Sequence, residues 1–88
     1  MSKEELRRSL ERLRSEIDLI EENNHPARER LDRLVVDLEH QIENEDDLAH
    51  RATLLDGIPN LVDEFETNHP KVTGILNHIM VTLSNMGI

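Results

Sequence analysis

From Val72 to Met86, apolar residues return every three or four positions. Val72, Leu76, Ile79, Leu83 and Met86 form a stripe that Ile75 and Met80 widen. A helix carrying such a face has to bury it, because each large aliphatic side chain withdrawn from water contributes roughly 1.5 to 3 kcal/mol. The rest of the chain is therefore constrained to fold around this segment. What covers it is either the upstream part of the same chain or a second copy.

Three upstream segments carry the same pattern. Ser2 with Glu5 three residues later reads as a capping box, and Glu4 and Glu5 suit the positive end of a helix dipole. Leu6, Leu10, Leu13, Ile17 and Ile20 then form a heptad seam, so a helix is expected over 3–22. Arg7 with Glu11 and Arg12 with Glu16 are spaced as i,i+4 pairs, in the less favourable orientation. Asn23-Asn24 is expected to stop this helix, and Pro26 to open the next one over 26–43 with His25 or Asn24 as its cap. Its buried stripe is Ala27, Leu31, Leu34, Val35, Leu38 and Ile42. The connection is so short that the two helices must form an antiparallel hairpin.

Asp46 or Asp47 can cap a third helix over 47–67, with Leu48, Ala52, Leu55, Leu61, Val62 and Phe65 on one side. Gly57 and Pro59 interrupt it, and the helix is expected to be kinked or split near 57–59. His69-Pro70 opens the fourth, over 70–86. The fold class expected is all-α: antiparallel helical hairpins forming a four-helix bundle-like single domain over residues 1–88. Asn24-His25-Pro26 recurs as Asn68-His69-Pro70, and at the same offset Leu10 aligns with Leu54, Ile17 with Leu61, Leu31 with Ile75 and Val35 with Ile79. A duplicated hairpin would produce this register, and so would the common preference of helix starts for such residues.

Composition narrows the function classes. With 88 residues there is room for one core, and a chain of this size buries only about 60–65% of its unfolded surface, so a lone copy is expected to be marginal. There is no cysteine, which removes disulfides, thiolate metal sites and thiol catalysis. The longest apolar runs, Leu34 to Val36 and Ile79 to Val81, fall far short of the roughly 20 residues needed to span a bilayer, and the first residues are charged rather than signal-like; a cytoplasmic protein is expected. Nineteen acidic residues against ten basic ones give a formal charge of −9, a field that repels phosphate backbones and anionic lipid. Phe65 is the one aromatic residue, so platforms for stacking bases are missing as well. Neither nucleic acid nor membrane is expected as a partner.

The chemistry-bearing residues do not assemble into a catalytic signature. Ser9, Ser15 and Ser84 lack a glycine-rich elbow, and the many carboxylates sit on charged helix faces where they should be solvated, so no enzyme activity is expected. The acidic turn over residues 43–47 lacks the alternating oxygen ligands and central glycine of an EF-hand. Five histidines allow a metal reading: the hairpin turn could bring His40 near His50 with Glu43 or Asp47 beside them, while His78 stands on the last helix. No H-E-x-x-H or E-x-x-H spacing supports it, so no metal and no cofactor is expected, and a small zinc- or iron-binding protein with His/carboxylate ligands stays an alternative. A second alternative is an acidic decoy for a basic protein. It is disfavoured because Arg28, Arg30 and Arg33 interleave with Glu29 and Asp32.

Phe65-Glu66, His69-Pro70, Thr73, Ile75-Leu76-Asn77 and the terminal Asn85-Met86-Gly87-Ile88 give the chain a resemblance to a family of short acidic helical proteins of bacteria and archaea, known only as a domain of unknown function. The resemblance covers nearly the whole chain and implies no activity, substrate or catalytic residue. The expected function is a non-enzymatic helical protein–protein interaction or self-association module. The expected partner is a second copy, contacted through Leu6, Leu10, Leu13 and Ile17 of the first helix or Val72, Ile75, Leu76, Ile79, Met80 and Leu83 of the last.

Overall fold

The computed structural model describes residues 2–20 and 25–86, without the side chains of Ser2 and His25. Four helices follow in order: α1 (Ser2–Asp18), α2 (His25–Glu43), α3 (Leu48–Phe65) and α4 (Pro70–Met86). No described helix is long and apolar enough to cross a membrane.

The seam of α1 is buried as its spacing predicts, but the helix stops at Asp18 and not near Glu22. The N–H groups of Leu19 and Ile20 donate to the carbonyls of Glu16 and Ile17, at 3.1 and 3.0 Å, so the last turn tightens from four-residue to three-residue closure. That rotation carries Ile20 onto the core and turns Leu19 outward. The stop signal Asn23-Asn24, the cap at Asn24 or His25, and the side chain of the Ser2 cap lie outside the described residues. The pairs Arg7–Glu11 and Arg12–Glu16 do not form among the described residues. Instead Glu4 meets Arg8 at 3.9 Å, with the acid N-terminal to the base as the helix dipole prefers. Arg14–Glu39 at 2.8 Å and Arg28–Asp18 at 3.6 Å tie α1 to α2 along an antiparallel hairpin; exposed pairs of this kind contribute little beside the apolar stripes.

In α3 the expected buried face needs correction. The helix is not split: it runs unbroken through Pro59, which faces solvent, where water can replace the hydrogen bond that proline removes. An unbroken helix couples the two halves that an interruption would have let rotate independently. Counting back from Phe65 and Leu61 by helical steps reaches Ile58 and Leu54, and these are the buried positions. Leu48, 60% exposed, and Ala52 are therefore on the outside, and Leu55, Leu61 and Val62 are half-buried. The helix ends at Phe65, two residues before the expected limit.

The fourth helix begins at Pro70 and buries Val72, Leu76, Ile79 and Leu83, with Ile75, Met80 and Met86 packed at the margin. α4 packs on both α1 and α3, and α1 packs on α2, so the helices circle the core in the order α2, α1, α4, α3; the seam between α2 and α3 is by far the least packed. The accessible surface is 5737 Å², within a tenth of the roughly 5,300 Å² that a folded monomer of this mass exposes. One copy therefore closes its own core.

Candidate functional site

The weak α2–α3 seam is the structural exception, and its cause can be read from α3. At the 44-residue offset of the Asn-His-Pro repeat, the seam residues Leu6, Leu10, Leu13 and Ile17 of α1 correspond to His50, Leu54, Gly57 and Leu61. Where α1 has Leu6 and Leu13, α3 has an imidazole and a residue without a side chain. Around Gly57 the space is open, with no heavy atom within 4 Å of where a Cβ would stand. The result is a groove of about 310 Å³ with Leu34, Leu54, Ile58 and Leu61 along it and Arg30, Arg33 and Asp37 on its α2 side. Arg30 reaches across to Glu64, so a residue that looks like one more charge on a solvated face is a strut between α2 and α3.

At one end of this groove, the turn between α2 and α3 gathers a polar cluster. Asp47 caps α3: its Oδ1 accepts the His50 N–H at 3.1 Å, and its Oδ2 lies 3.3 Å from Nε2 of His40. The backbone donor at the helix start, and next the His40 ring, hold the Asp47 carboxyl below its ordinary value. His40 and His50 meet edge to face, ring centroids 4.4 Å apart. The juxtaposition expected across the acidic turn is therefore present, with Asp47 beside the rings; Glu43 makes no hydrogen bond or ion pair with either.

Gln41 organises the cluster. It is fully buried, its Nε2 donates to the carbonyls of Asn44 and Asp47 at 3.4 and 3.5 Å, and its Oε1 lies 2.7 Å from Nδ1 of His50. An amide whose nitrogen faces two carbonyls must present its oxygen to the ring, so the hydrogen-bond network assigns the His50 proton to Nδ1 and leaves Nε2 toward Asp37, 4.0 Å away. Sequence reasoning missed Gln41. The signal existed: it stands three residues after Leu38 and seven after Leu34, on the buried stripe of α2. Among the described residues, no group of three or more His, Asp or Glu side chains is placed to hold a metal ion. Ser15 donates to the Glu11 carbonyl at 3.2 Å, and no described serine is hydrogen-bonded to a histidine.

The residues expected to face a second copy lie elsewhere. Leu6, Leu10, Leu13 and Ile17 of α1 and Val72, Leu76, Ile79 and Leu83 of α4 are buried in the chain's own core, where α1 and α4 form its most extensive seam. Ile75 and Met80 are half-buried beside it. The wide stripe of α4, which suggested an outside partner, is wide because the helix serves two neighbours, α1 and α3.

A family model described as a domain of unknown function, DUF4404, matches residues 6–88. The chain belongs to this family. The match spans all four helices of the family member described here, from the first buried leucine of α1 onward. No curated protein and no solved structure matches the chain.

Proposed function

We propose that this chain is a non-enzymatic helical interaction module that self-associates reversibly through its α2–α3 face. The observation that carries the reading is the groove between α2 and α3, floored by the buried Leu34, Leu54 and Ile58 with the half-buried Leu61 at its edge, along the least packed seam of the bundle. Docking of an amphipathic helix into a groove between helices is a common way for helical modules to engage one another. Charge favours a second copy as the occupant. Arg33 has no carboxylate within ion-pair distance among the described residues, and Asp37 stands one helical turn further along the same rim. In a two-fold arrangement, where the same patch serves both partners, Arg33 of each copy can meet Asp37 of the other. Since the core is already closed, such a dimer would dissociate without unfolding.

Light scattering coupled to size exclusion tests this. A mass of two chains at micromolar concentration is expected, falling to one chain in Arg33→Glu and recovering when Asp37→Arg is added. Leu61→Asp should also give one chain while the helical circular dichroism is retained. A mass of one chain at every concentration, or a dimer indifferent to Arg33→Glu, would overturn the reading.

A further inference from the structure

At the turn end of the α2–α3 groove, His50 stands half-buried against two residues of α2 that treat its ring nitrogens differently. Nδ1 lies 2.7 Å from Oε1 of the fully buried Gln41, an oxygen that can only accept, so the proton of the neutral ring is held there. Nε2 is then a bare lone pair. Oδ1 of Asp37 faces it from 4.0 Å, beyond hydrogen-bond length, as two acceptors should. A proton added to this ring has to go to Nε2, since Nδ1 already carries one, and it converts the facing acceptors into a donor and a carboxylate. The bond to Gln41 is undisturbed by the change.

Asp37 is also the carboxylate assigned above to Arg33 of a second copy. The other charged groups around His50 are engaged elsewhere. From α2, His40 meets the ring edge to face at 4.4 Å between centroids while its own Nε2 lies 3.3 Å from Asp47, and Arg30 is bound to Glu64. From the turn, Asp47 accepts the His50 backbone N–H through Oδ1. From α4, the other helix packed on α3, the titratable groups are Lys71 and His78, and both line a separate recess against α1. Asp37 is therefore where a charge on His50 is felt at the groove. Resting on self-association through the α2–α3 face, we propose that His50 makes that association pH-sensitive: protonated at Nε2, it binds Asp37 within its own copy and withdraws this carboxylate from Arg33 of the other. An imidazole changes charge between about pH 5 and 8, a range in which carboxylates keep theirs. Acid should thus dissociate the dimer. Bulk charge predicts the reverse, because protonating all five histidines brings the formal charge from −9 toward −4 and eases repulsion between copies. In a two-fold dimer both Arg33–Asp37 contacts are lost together, so the dimer Kd should rise about tenfold or more.

The test is light scattering coupled to size exclusion, with the intact chain over a concentration series at about pH 8 and about pH 5.5. The parent should give two chains at the basic pH and move toward one at the acidic pH, with the same helical circular dichroism at both. His50→Asn keeps a donor near the place of Nδ1 and has nothing to titrate, so it should give two chains at both. His40→Gln should keep the fall in mass. At the basic pH, imidazole nitrogen chemical shifts should show His50 as the Nδ1–H tautomer. One parent chain already at the basic pH would overturn the self-association reading, and the pH switch with it. Two chains at both pH values, tighter association in acid, or loss of helical signal in acid would overturn the switch alone. So would an Nε2–H tautomer, a fall in mass that survives in His50→Asn, its giving one chain at both pH values, or the absence of a fall in His40→Gln.

Discussion

Gly57→Ala separates the stability of this fold from the use of its surface. Glycine inside a helix costs about 0.8–1.0 kcal/mol relative to alanine, because it gives up more backbone freedom on folding. At residue 57 nothing offsets a gain from replacing it: the backbone is helical with no positive φ, and an added Cβ meets no heavy atom within 4 Å. The whole of that preference should therefore appear as added stability. For a domain of 88 residues, whose total is about 4 to 13 kcal/mol, this is a measurable fraction, and it should raise Tm by about 3–8 °C. Thermal and urea unfolding followed by far-ultraviolet circular dichroism would read it directly. A lowered Tm would refute the reasoning, since it would require a contact at Gly57 that the structure does not contain. The same methyl group narrows the α2–α3 groove, so the variant should be more stable and yet associate more weakly in light scattering.

Leu76→Ala, at a fully buried position between α1 and α4, should cost about 2–5 kcal/mol in urea unfolding, and Leu76→Asp should unfold the chain rather than merely dissociate it; a stable, monomeric Leu76→Asp would show that this residue faces a partner and not the core. For the α3 cap, the sign follows from a carboxyl held below its ordinary value of 3.8: the stabilisation by Asp47 is fully present above that pH and is lost as pH falls through the folded-state value. Asp47→Ala should therefore melt at a lower temperature than the parent at neutral pH, and the difference should shrink in acid; a difference independent of pH would rule out the ionised cap. Overnight treatment with a chelator should leave the melting curve where it was, and a fall in Tm restored by zinc or iron would revive a metal role for the His40–His50 pair.

Much of the architecture is legible without coordinates, because it depends on interactions between near neighbours in sequence. The 3.6-residue recurrence of Leu6, Leu10, Leu13 and Ile17, or of Val72, Leu76, Ile79 and Leu83, defines both a helix and its buried face. Pro26 and Pro70 mark helix starts through their missing N–H groups, and Asp47 caps through a side chain that reaches only its own next turn. Even the meeting of His40 and His50 follows from a hairpin turn too short to let them separate.

What the sequence left open depends on which helix lies beside which. Whether Gly57 and Pro59 break α3 determines the rotation of its first half, and only the continuous helix puts Leu54 and Ile58 inward and Leu48 and Ala52 outward. That the stripes of α1 and α4 cover one another is a matter of packing order, since an apolar face has the same periodicity whether its partner is in the same chain or another. Gln41 gains its role only when α3 brings His50 against it. The α2–α3 groove likewise exists only where two helices meet: burial of apolar area is non-directional, so the pattern of a single helix says that it will be covered, and tertiary packing decides by what and where a gap remains.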